Sequence, residues 1–457
     1  MQTSAIILAA GSGTRMKSQL NKVLHPLCGR PLVSHVIQAG QDAAIENFYV
    51  VIGRDAEQVK ATLGGDYTYV LQRERLGTGH AVMQVEPVFR GEDLVFVLCG
   101  DTPLIRPETL QAMQAMHLAE QADVTVLTAT LPQGADYGRI VRADDGRILG
   151  IVEAKEATPA QLAIREINTG FYCFKGSTLF AALHQVDNHN AQAEYYLTDV
   201  IALVAQAGGK VVGCPLDDFQ EALGINDRVR LAEAEAYLRQ RIRERLMLAG
   251  VTFLQPETTL VDDTVSIGQD TIVYPGCLLE GNTAIGSGCV IGPYTRLTDC
   301  RVGDRTSIEF SVARQAATGA DCVIGPYAYL RPDTSLADRV KVGDFVELKN
   351  AQVGSGSKLP HLSYVGDVTI GQRTNLGAGT ILVNYDGKDK HHSQIDDDAF
   401  IGCNSNLISP VHIGAGAYVA AGSTITDDVP ADALAIARSR QVNKAEWAKR
   451  RRERQSE

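Results

Sequence analysis

An aliphatic residue recurs at every sixth position through the second half of the chain, from Val261 to Ile425. Gly or Asp usually follows it, and a small residue such as Thr, Cys, Ser or Ala often stands two places before it. Neither the helical period of about 3.6 nor the strand period of about 2 accounts for this spacing. It is typical of a parallel β-helix, whose six-residue units form flat sides with the aliphatic residue toward the axis. Each coil needs its neighbours to bury these residues.

The rhythm is not continuous. It lapses between Ile308 and Ile324, and it breaks between Leu382 and Ile395, where the segment 384–392 reads NYDGKDKHH. We expect this segment to be a loop ejected from the coils, and such loops commonly lie over the binding face. After the last coil the chain becomes basic, and we expect it to be partly helical.

The first segment, to about Arg228, alternates short apolar runs with helical stretches. This alternation predicts an α/β domain with a mostly parallel sheet and helices on both faces. Ligands of such sheets bind beyond the carboxyl ends of the strands. The runs predicted as buried strands are 5–10, 48–52, 94–98, 124–129 and 171–174.

Between the two segments, residues 229–249 are charged and have aliphatic residues at spacings of three and four, without an interior Gly or Pro. This pattern predicts one helix of about 30 Å that ends at Gly250. The expected organisation is a domain at 1–228, a helical linker at 229–249 and a β-helix domain at 250–457 with a basic tail. We expect two separate bodies whose sites do not merge.

Charge and cysteines limit the protein's class. The net charge of −11 argues against a general nucleic-acid binder, and the basic C-terminus is either a solvated tail or a holder of a phosphorylated ligand. The nine cysteines have neither CxxC pairs nor zinc-site spacing, which indicates free thiols in a reducing compartment. With no signal-peptide pattern and no membrane-length apolar run, we expect a cytoplasmic protein.

The first strand leads directly into a Gly-rich turn, 8–16, that reads LAAGSGTRM, and Lys22 follows. Glycines here let backbone N–H groups approach a phosphate, while Arg15 and Lys22 can neutralise a triphosphate and the departing pyrophosphate. The turn is neither a GxGxxG fingerprint nor a P-loop.

Asp101 follows the apolar strand at 94–98 and Gly100, so its carboxylate is expected at a strand's carboxyl end, where Mg²⁺ could bridge it to phosphate. The alternative is an Asp that caps the turn at Thr102. Further candidates recur in order along the chain: Gln72, 76–79 (LGTG), 137–139 (YGR), Glu153, 168–170 (NTG) and Asn226.

Together, LAAG with GTRM and Lys22, QxxxLGTGHA, GDTPL, YGRI, EINTG and EYYLTD, followed by hexapeptide repeats, resemble a bacterial family. It is the bifunctional N-acetylglucosamine-1-phosphate uridylyltransferase/glucosamine-1-phosphate N-acetyltransferase family, and the resemblance covers essentially the whole chain. It implies a Rossmann-like mixed sheet, a left-handed parallel β-helix and a homotrimer. The implied product is UDP-N-acetylglucosamine, a precursor of peptidoglycan and lipopolysaccharide.

The resemblance implies roles for the first domain, in which the sugar phosphate attacks the α-phosphorus of UTP in line. Cys99 stands where some relatives have an aromatic residue, so a contact there is expected through the backbone. The implied roles are a phosphate grip by Leu8, Ala9, Ala10, Gly11, Arg15 and Lys22, uracil reading by Gln72, Gly77 and Thr78, further nucleotide contact by Cys99 and Gly100, sugar contact by Gly138, Glu153 and Asn168, and Mg²⁺ binding by Asp101 and Asn226.

For the β-helix, the resemblance implies acetyl transfer from acetyl-CoA to glucosamine 1-phosphate. His361 is the implied base for the 2-amino group, and the loop at Asn384 and Tyr385 the implied oxyanion donor. Cys403 stands where the family commonly has Ser, and a thiol is the weaker donor. We expect the substrate residues on successive coils. They are Arg331 and Lys349 for the sugar phosphate, Tyr364 and Asn375 for its orientation, and Ala378, Cys403, Ala421 and Arg438 for acetyl-CoA.

Three alternatives stay open at this point. The β-helix could be a regulatory or oligomerising module on a nucleotidylyltransferase, or the protein could be a non-enzymatic scaffold with a nucleotide-sensing head. A metal-binding β-helix like that of some carbonic anhydrases is the third, but His391, His392 and His412 lack the spacing to put three ligands on matching coils.

Overall fold

The computed structural model describes residues 1–11, 13–131 and 137–455. The chain divides into two compact units, Met1–Leu238 and Arg239–Glu457. Ser12 of the Gly-rich turn lies outside the described residues.

The first unit is built on one mixed sheet with helices on both faces. Its strands are β1 (Thr3–Ala9), β2 (Pro26–Leu27), β3 (Arg30–Pro31), β4 (Asn47–Ile52), β5 (Thr68–Leu71), β6 (Leu94–Cys99), β7 (Val124–Thr130), β8 (Arg139–Arg142), β9 (Ile148–Val152), β10 (Glu166–Lys175) and β11 (Val211–Pro215). Its helices are α1 (Leu32–Asp42), α2 (Ala56–Leu63), α3 (Thr78–Met83), α4 (Pro107–Ala119), α5 (Pro159–Leu162), α6 (Gly176–Leu183) and α7 (Asp199–Gln206), with 3-10 turns at Thr14–Met16, Lys22–Leu24, Glu86–Val88 and Phe219–Ala222.

The strand order of the mixed sheet is β11-β7-β10-β6-β1-β4-β5, and β2 and β3 form a separate two-stranded antiparallel sheet. β1 is parallel to β4 and β6, but β10 lies antiparallel between β6 and β7 and also pairs with the antiparallel β8–β9 hairpin. The five predicted strands are present as β1, β4, β6, β7 and β10. Successive residues of β1 face opposite cores, since Ile6 belongs to one buried cluster and Ile7 to the other.

Because β1, β4, β5 and β6 are parallel, their carboxyl ends meet at one edge of the sheet. The Gly-rich turn leaves β1 there, Gln72 follows β5, and Asp101 follows β6. The sheet thus brings together residues that are far apart in sequence.

A helix, α8 (Arg228–Leu248), covers the stretch for which a linker helix was expected. In the part of the chain that the structure describes, no helix is long and apolar enough to cross a membrane.

The second unit is a parallel β-helix of short strands. They are β12 (Thr252–Phe253), β13 (Leu260–Val261), β14 (Ser266–Ile267), β15 (Ile272–Val273), β16 (Leu278–Glu280), β17 (Ala284–Ile285), β18 (Val290–Ile291), β19 (Arg296–Thr298), β20 (Arg301–Val302), β21 (Ser307–Ile308), β22 (Val312–Arg314), β23 (Ala317–Thr318), β24 (Val323–Ile324), β25 (Tyr329–Leu330), β26 (Ser335–Leu336), β27 (Lys341–Val353), β28 (Lys358–Ile370), β29 (Asn375–Leu376), β30 (Ile381–Val383), β31 (Ser393–Ile395), β32 (Phe400–Ile401), β33 (Asn406–Ile408), β34 (His412–Ile413), β35 (Tyr418–Val419), β36 (Thr424–Ile425) and β37 (Leu434–Ala435).

Each strand of this unit pairs with the equivalent strand of the next coil, so that aliphatic residues stack in columns. One column reads Val273, Ile291, Ile308, Ile324 and Val342, and all five side chains are buried. The prediction of a hexapeptide β-helix is therefore confirmed.

The expected lapse between Ile308 and Ile324 is not a break in the structure. Ala313 pairs with Leu297 below and Leu330 above, and Thr318 occupies the equivalent place on the next side. Ala313 is 5% exposed. The inward position is kept by smaller side chains, which a search for large aliphatic residues overlooks.

The segment 384–392 leaves the coils as expected, and the ladder resumes in register where Ser393 pairs with Val368. The loop is ordered by its own contacts, because Asp386 accepts hydrogen bonds from the backbone of Lys388 and Asp389 and from Nε2 of His391. The basic C-terminus contains the expected helix, α9 (Trp447–Glu453).

Candidate active sites

A cavity of about 330 Å³ opens at the carboxyl edge of the sheet in the first unit. It collects nine of the residues proposed from sequence and adds four that were not. The lining consists of Leu8, Ala10, Gly11, Lys22, Val23, Gln72, Arg75, Gly77, Thr78, Ala81, Cys99, Asp101 and Glu194. Among the expected contacts, Ala9, Arg15 and Gly100 do not line this cavity as described.

Lys22 is the centre of the charged part of this cavity. Its Nζ forms an ion pair with Asp101 and donates a hydrogen bond to Oδ1 of Asn226 at 3.2 Å. The turn before it must approach closely, since a Cβ on Gly13, which has φ +58°, would lie 2.6 Å from Cβ of Lys22. The two proposed metal ligands therefore converge on one point.

A carboxylate and an amide oxygen at that point suit a hard divalent cation. The described residues contain no group of three or more His, Cys, Asp or Glu side chains that could hold a metal by themselves. Mg²⁺ is commonly coordinated by one or two protein oxygens, and phosphate and water oxygens complete its coordination shell. The donor set at Asp101 and Asn226 thus fits a metal shared with a nucleotide.

The residues expected to read a base form one hydrogen-bonded corner. Nε2 of Gln72 donates to the carbonyl oxygen of Gly77 at 3.1 Å and lies 3.1 Å from Nδ1 of His80. Gln72 is buried, and Thr78 begins α3. The corner presents backbone and amide groups to the cavity, which is the chemistry that reading a base edge needs.

The residues expected to hold a sugar lie beside the cavity rather than in its lining. The backbone N of Asn168 donates to the carbonyl oxygen of Gly138 at 2.9 Å. The Glu153 carboxylate accepts from Oγ1 of Thr198 at 3.0 Å, and its burial raises the pKa of Glu153. Sγ of Cys99 donates to the carbonyl oxygen of Gly170 at 3.5 Å and so connects this group to the cavity. Burial raises the pKa of Cys99 to about 12.

In the second unit, three flat sides repeat up the β-helix, and two of them concern the site. The first side contains Leu359, Leu376, Ile401 and Val419, and the second side contains Val365, Leu382, Leu407 and Ile425. The corner between them, called here the catalytic corner, consists of 360–363, 377–380, 402–405 and 420–423.

His361 lies on the catalytic corner with its side chain 59% exposed, so it is not packed among the inward aliphatic residues. Its Nδ1 is 2.5 Å from Oδ1 of Asp344, and this hydrogen bond lowers the pKa of Asp344. A proton held on Nδ1 by the carboxylate leaves Nε2 as an outward acceptor. This is the arrangement that a general base requires.

The residues expected at acetyl-CoA follow His361 along the same corner. The backbone N of Asn404 donates to the carbonyl oxygen of Ala378 at 2.7 Å, and that of Gly422 donates to the carbonyl oxygen of Cys403 at 2.8 Å. Ala421 is the neighbour of Gly422, and a Cβ built on Gly422 would lie 3.9 Å from Cδ of Arg438. A thioester could therefore lie along stacked backbone with Arg438 at its far end.

The cations expected at the sugar phosphate lie at the edge of the second side that is opposite the catalytic corner. Arg331 donates to Oε1 of Glu347 at 2.7 Å, and Lys349 follows Leu348 one coil later. Lys390 of the ejected loop is so close to Lys349 that it lowers the pKa of Lys349. Sequence reasoning missed Lys390, which adds a cation where an anion would neutralise the pair.

The loop's first residue is tied to the second side. Nδ2 of Asn384 donates to the Asp367 carboxylate and lies 3.4 Å from the hydroxyl oxygen of Tyr364. Tyr364 shares its coil with His361, while Asn375 lies one coil later on the first side, where it pairs with Lys358. The structure thus places the expected residues on neighbouring coils but on two different sides.

Comparisons with known proteins find relatives of both units. Residues 5–194 match the MobA-like NTP transferase domain family, and residues 264–299 and 392–427 match the bacterial transferase hexapeptide (six repeats) family. A solved structure of UDP-glucose pyrophosphorylase complexed with UDP-glucose is similar with a TM-score of 0.45 and 18% identity, covering 53% of this chain and 100% of that chain.

Full-length relatives are much more similar. The bifunctional protein GlmU of Geobacillus sp. (strain WCH70) is 52% identical over 447 residues, which are 98% of this chain and 97% of the relative. The bifunctional protein GlmU of Brevibacillus brevis is 51% identical over 445 residues, with 97% and 96% covered. With a nucleotidyltransferase domain followed by hexapeptide repeats, the chain belongs to the family of the bifunctional protein GlmU.

Proposed function

We propose that this bifunctional transferase acetylates glucosamine 1-phosphate with acetyl-CoA and then transfers the uridylyl group of UTP to the product, releasing pyrophosphate. The observation that carries the proposal is the His361–Asp344 pair on the same corner as Ala378 and Cys403. A β-helix that served only as a scaffold has no use for an outward imidazole held by a carboxylate. We assign uridylyl transfer to residues 1–228, a linker to 229–249 and acetyl transfer to 250–457.

In uridylyl transfer, the protein positions the reactants and neutralises charge. Lys22, with Arg15 from the same Gly-rich region, lies where the phosphates of UTP would be held. Asp101 and Asn226 would hold Mg²⁺, which supplies further charge neutralisation at the phosphates. A phosphate oxygen of N-acetylglucosamine 1-phosphate attacks the α-phosphorus, and the bond to the β-phosphate oxygen breaks. Pyrophosphate carries that electron pair away.

In acetyl transfer, the 2-amino group of glucosamine 1-phosphate attacks the thioester carbonyl. Nε2 of His361 takes the proton that the nitrogen loses, and CoA leaves as the thiolate. Asn384 and Tyr385 begin the loop that would donate hydrogen bonds to the oxyanion. Arg331, Lys349 and Lys390 provide the positive charge for the sugar phosphate.

We further propose a homotrimer as the working form. Four aromatic rings, called here the ring ridge, follow one another on the coils before His361, in line with the catalytic corner, with centroids 5.9, 5.7 and 5.5 Å apart. They are Tyr294, Phe310, Tyr327 and Phe345, and Tyr294 and Phe345 are 67% and 58% exposed. Exposed apolar ridges of this kind usually have a partner surface, which supports assembly of copies side by side.

Light scattering should give about three times the 49.2 kDa of one chain. Phe345→Ser with Tyr327→Ser should reduce this mass and acetyl transfer together. A wild-type mass of one chain would contradict the trimer, and an unchanged mass in the double variant would contradict the ring ridge as its contact.

The two reactions are separated by supplying glucosamine 1-phosphate, acetyl-CoA, UTP and Mg²⁺ and omitting each in turn. Free CoA should appear without UTP, and pyrophosphate only with UTP. His361→Ala should abolish CoA release while pyrophosphate still forms from N-acetylglucosamine 1-phosphate, and Asp101→Ala should do the reverse. Acetylation that survives His361→Ala would contradict the assignment of His361 as the base. A wild type that releases no CoA would favour a regulatory β-helix, and UTP binding without pyrophosphate release would favour a nucleotide sensor.

A further inference from the structure

The segment 194–199, which reads EYYLTD, runs beside the residues proposed to read uracil. The backbone N of Tyr195 donates to the carbonyl oxygen of Leu76 at 2.6 Å, and the N of Gly79 donates to that of Tyr195 at 2.8 Å. The N of Leu197 donates to Oγ1 of Thr78 at 3.2 Å. These three hydrogen bonds fix the position of the base-reading stretch.

The approach of the two stretches is so close that it requires glycine. A Cβ on Gly77, where φ is +107°, would lie 2.5 Å from the carbonyl oxygen of Tyr195 and 2.9 Å from Cβ of Glu194. A Cβ on Gly79 would lie 2.9 Å from the same oxygen of Tyr195. A shift of the 194–199 segment would therefore shift the base-reading stretch with it.

The far end of the same segment contacts the residue proposed to hold the sugar. Thr198 is 5% exposed, and its Oγ1 donates to Oε1 of Glu153 at 3.0 Å. Across the described ranges, this is the one hydrogen bond from a side chain to the Glu153 carboxylate. The bond leaves Oε2 to accept from a sugar hydroxyl.

Thr198 is the N-cap of α7, but its side chain makes no capping hydrogen bond. A threonine at this position usually stabilises its helix through that bond. Here the hydroxyl is directed to Glu153 instead, which separates its role from ordinary helix capping.

The distance between Thr198 and Glu153 is fixed by their elements. α7 begins directly after Thr198, and β9 ends one residue before Glu153. A Cβ on Gly150 of β9 would lie only 3.1 Å from Cβ of Ala202 in α7, so the helix and the strand are in close contact. The donor and the carboxylate are thus carried by one packed body.

We infer that Thr198 is coupled to Glu153 as its positioning residue, and that the 194–199 segment holds this donor in a fixed place relative to the base-reading stretch. The inference rests on the proposed roles of Glu153 at the sugar and of Gly77 and Thr78 at uracil. Loss of the Thr198 hydroxyl would leave the carboxylate without the donor that orients it, and sugar binding would weaken more than UTP binding.

The test uses the full-length protein and pyrophosphate release. Thr198→Val keeps the volume and removes the hydroxyl, and it should raise the KM for N-acetylglucosamine 1-phosphate about tenfold. The kcat and the KM for UTP should stay within about twofold, because no contact to the phosphates is lost. Thr198→Ser, which keeps the donor, should behave as the wild type. Acetyl transfer and the melting temperature report on folding, and Thr198→Ala replaces the valine variant if that one is unstable.

A cycle with Glu153→Ala separates the possible failures. If Thr198 acts through Glu153, Thr198→Val should add nothing in the Glu153→Ala background. Additive effects, or a sugar KM that Thr198→Val leaves unchanged while Glu153→Ala raises it, would overturn the coupling alone. A sugar KM that Glu153→Ala leaves unchanged would overturn the assignment of Glu153 in the proposed function, and the coupling with it.

Discussion

Nδ1 of His361 lies 2.5 Å from Oδ1 of Asp344, which faces it across the ladder from the preceding coil. We predict that Asp344→Asn lowers the kcat of acetyl transfer about 10–100-fold, because an amide no longer fixes the tautomer that leaves Nε2 as acceptor. CoA release measures the effect, and pyrophosphate release in the same preparation is the control. Full acetyl transfer in the variant would show that the pair is not needed for the base.

Lys390 places a second ammonium group beside that of Lys349. We expect Lys390→Gln to raise the KM for glucosamine 1-phosphate about tenfold with a smaller effect on the KM for acetyl-CoA, because one charge-assisted contact to the phosphate is lost. Lys388→Gln, in the same loop, is the matched control and should leave both constants unchanged. Equal effects of the two substitutions would indicate that only the loop's overall charge matters.

Cys403 is the exposed cysteine of the catalytic corner, whereas the other cysteines are buried or, for Cys99, partly buried. Alkylation at about pH 7.5 should therefore stop acetyl transfer before uridylyl transfer, since the high pKa of Cys99 keeps it as the unreactive thiol. Cys403→Ser should protect acetyl transfer, and Cys99→Ser should not. Parallel loss of both activities in the wild type would contradict this order.

Asp199 lies among carboxylates at the start of α7. Burial, followed by repulsion from Glu156, Asp187 and Glu153, raises its pKa from 3.8 to about 6. The folded protein holds this proton more tightly than the unfolded chain, so stability from this group is present at low pH and falls as pH rises through that interval. Asp199→Asn should thus raise the melting temperature at about pH 7.5 by about 2–4 °C and give little gain at about pH 4.

The helical circular dichroism signal measures this change. Asp145→Asn is the control, because the pKa of exposed Asp145 is lowered by a hydrogen bond from the side chain of Arg147 and its removal brings no such gain. A gain for Asp199→Asn at the acidic pH would reverse the expected sign and reject the assignment.

The sequence predicts the β-helix well because its inward positions are chemically restricted, as the column from Val273 to Val342 shows. Ala313 and Thr318 escaped notice because the interior accepts smaller groups where neighbouring coils fill the space. The antiparallel β10 was not foreseen either. Its place between β6 and β7 depends on a chain reversal through β8 and β9, for which apolar runs give no direction.

For the sites, the sequence was informative where parallel strands end together. Gln72 and Asp101 meet in one cavity for that reason. Asp344 and Lys390 were missed because their contacts depend on coil length and on how the loop folds. Counting one coil back from His361 would have found Asp344, since the two face each other in the ladder. No comparable spacing points to Lys390.

The ladder closes again in register after the 384–392 excursion, since Ser393 pairs with Val368 as though the loop were absent. The coils of the β-helix therefore impose no fixed length on that loop. The loop can thus change in length or sequence without refolding the β-helix, so the contacts of Asn384 and Lys390 can vary independently of the coils.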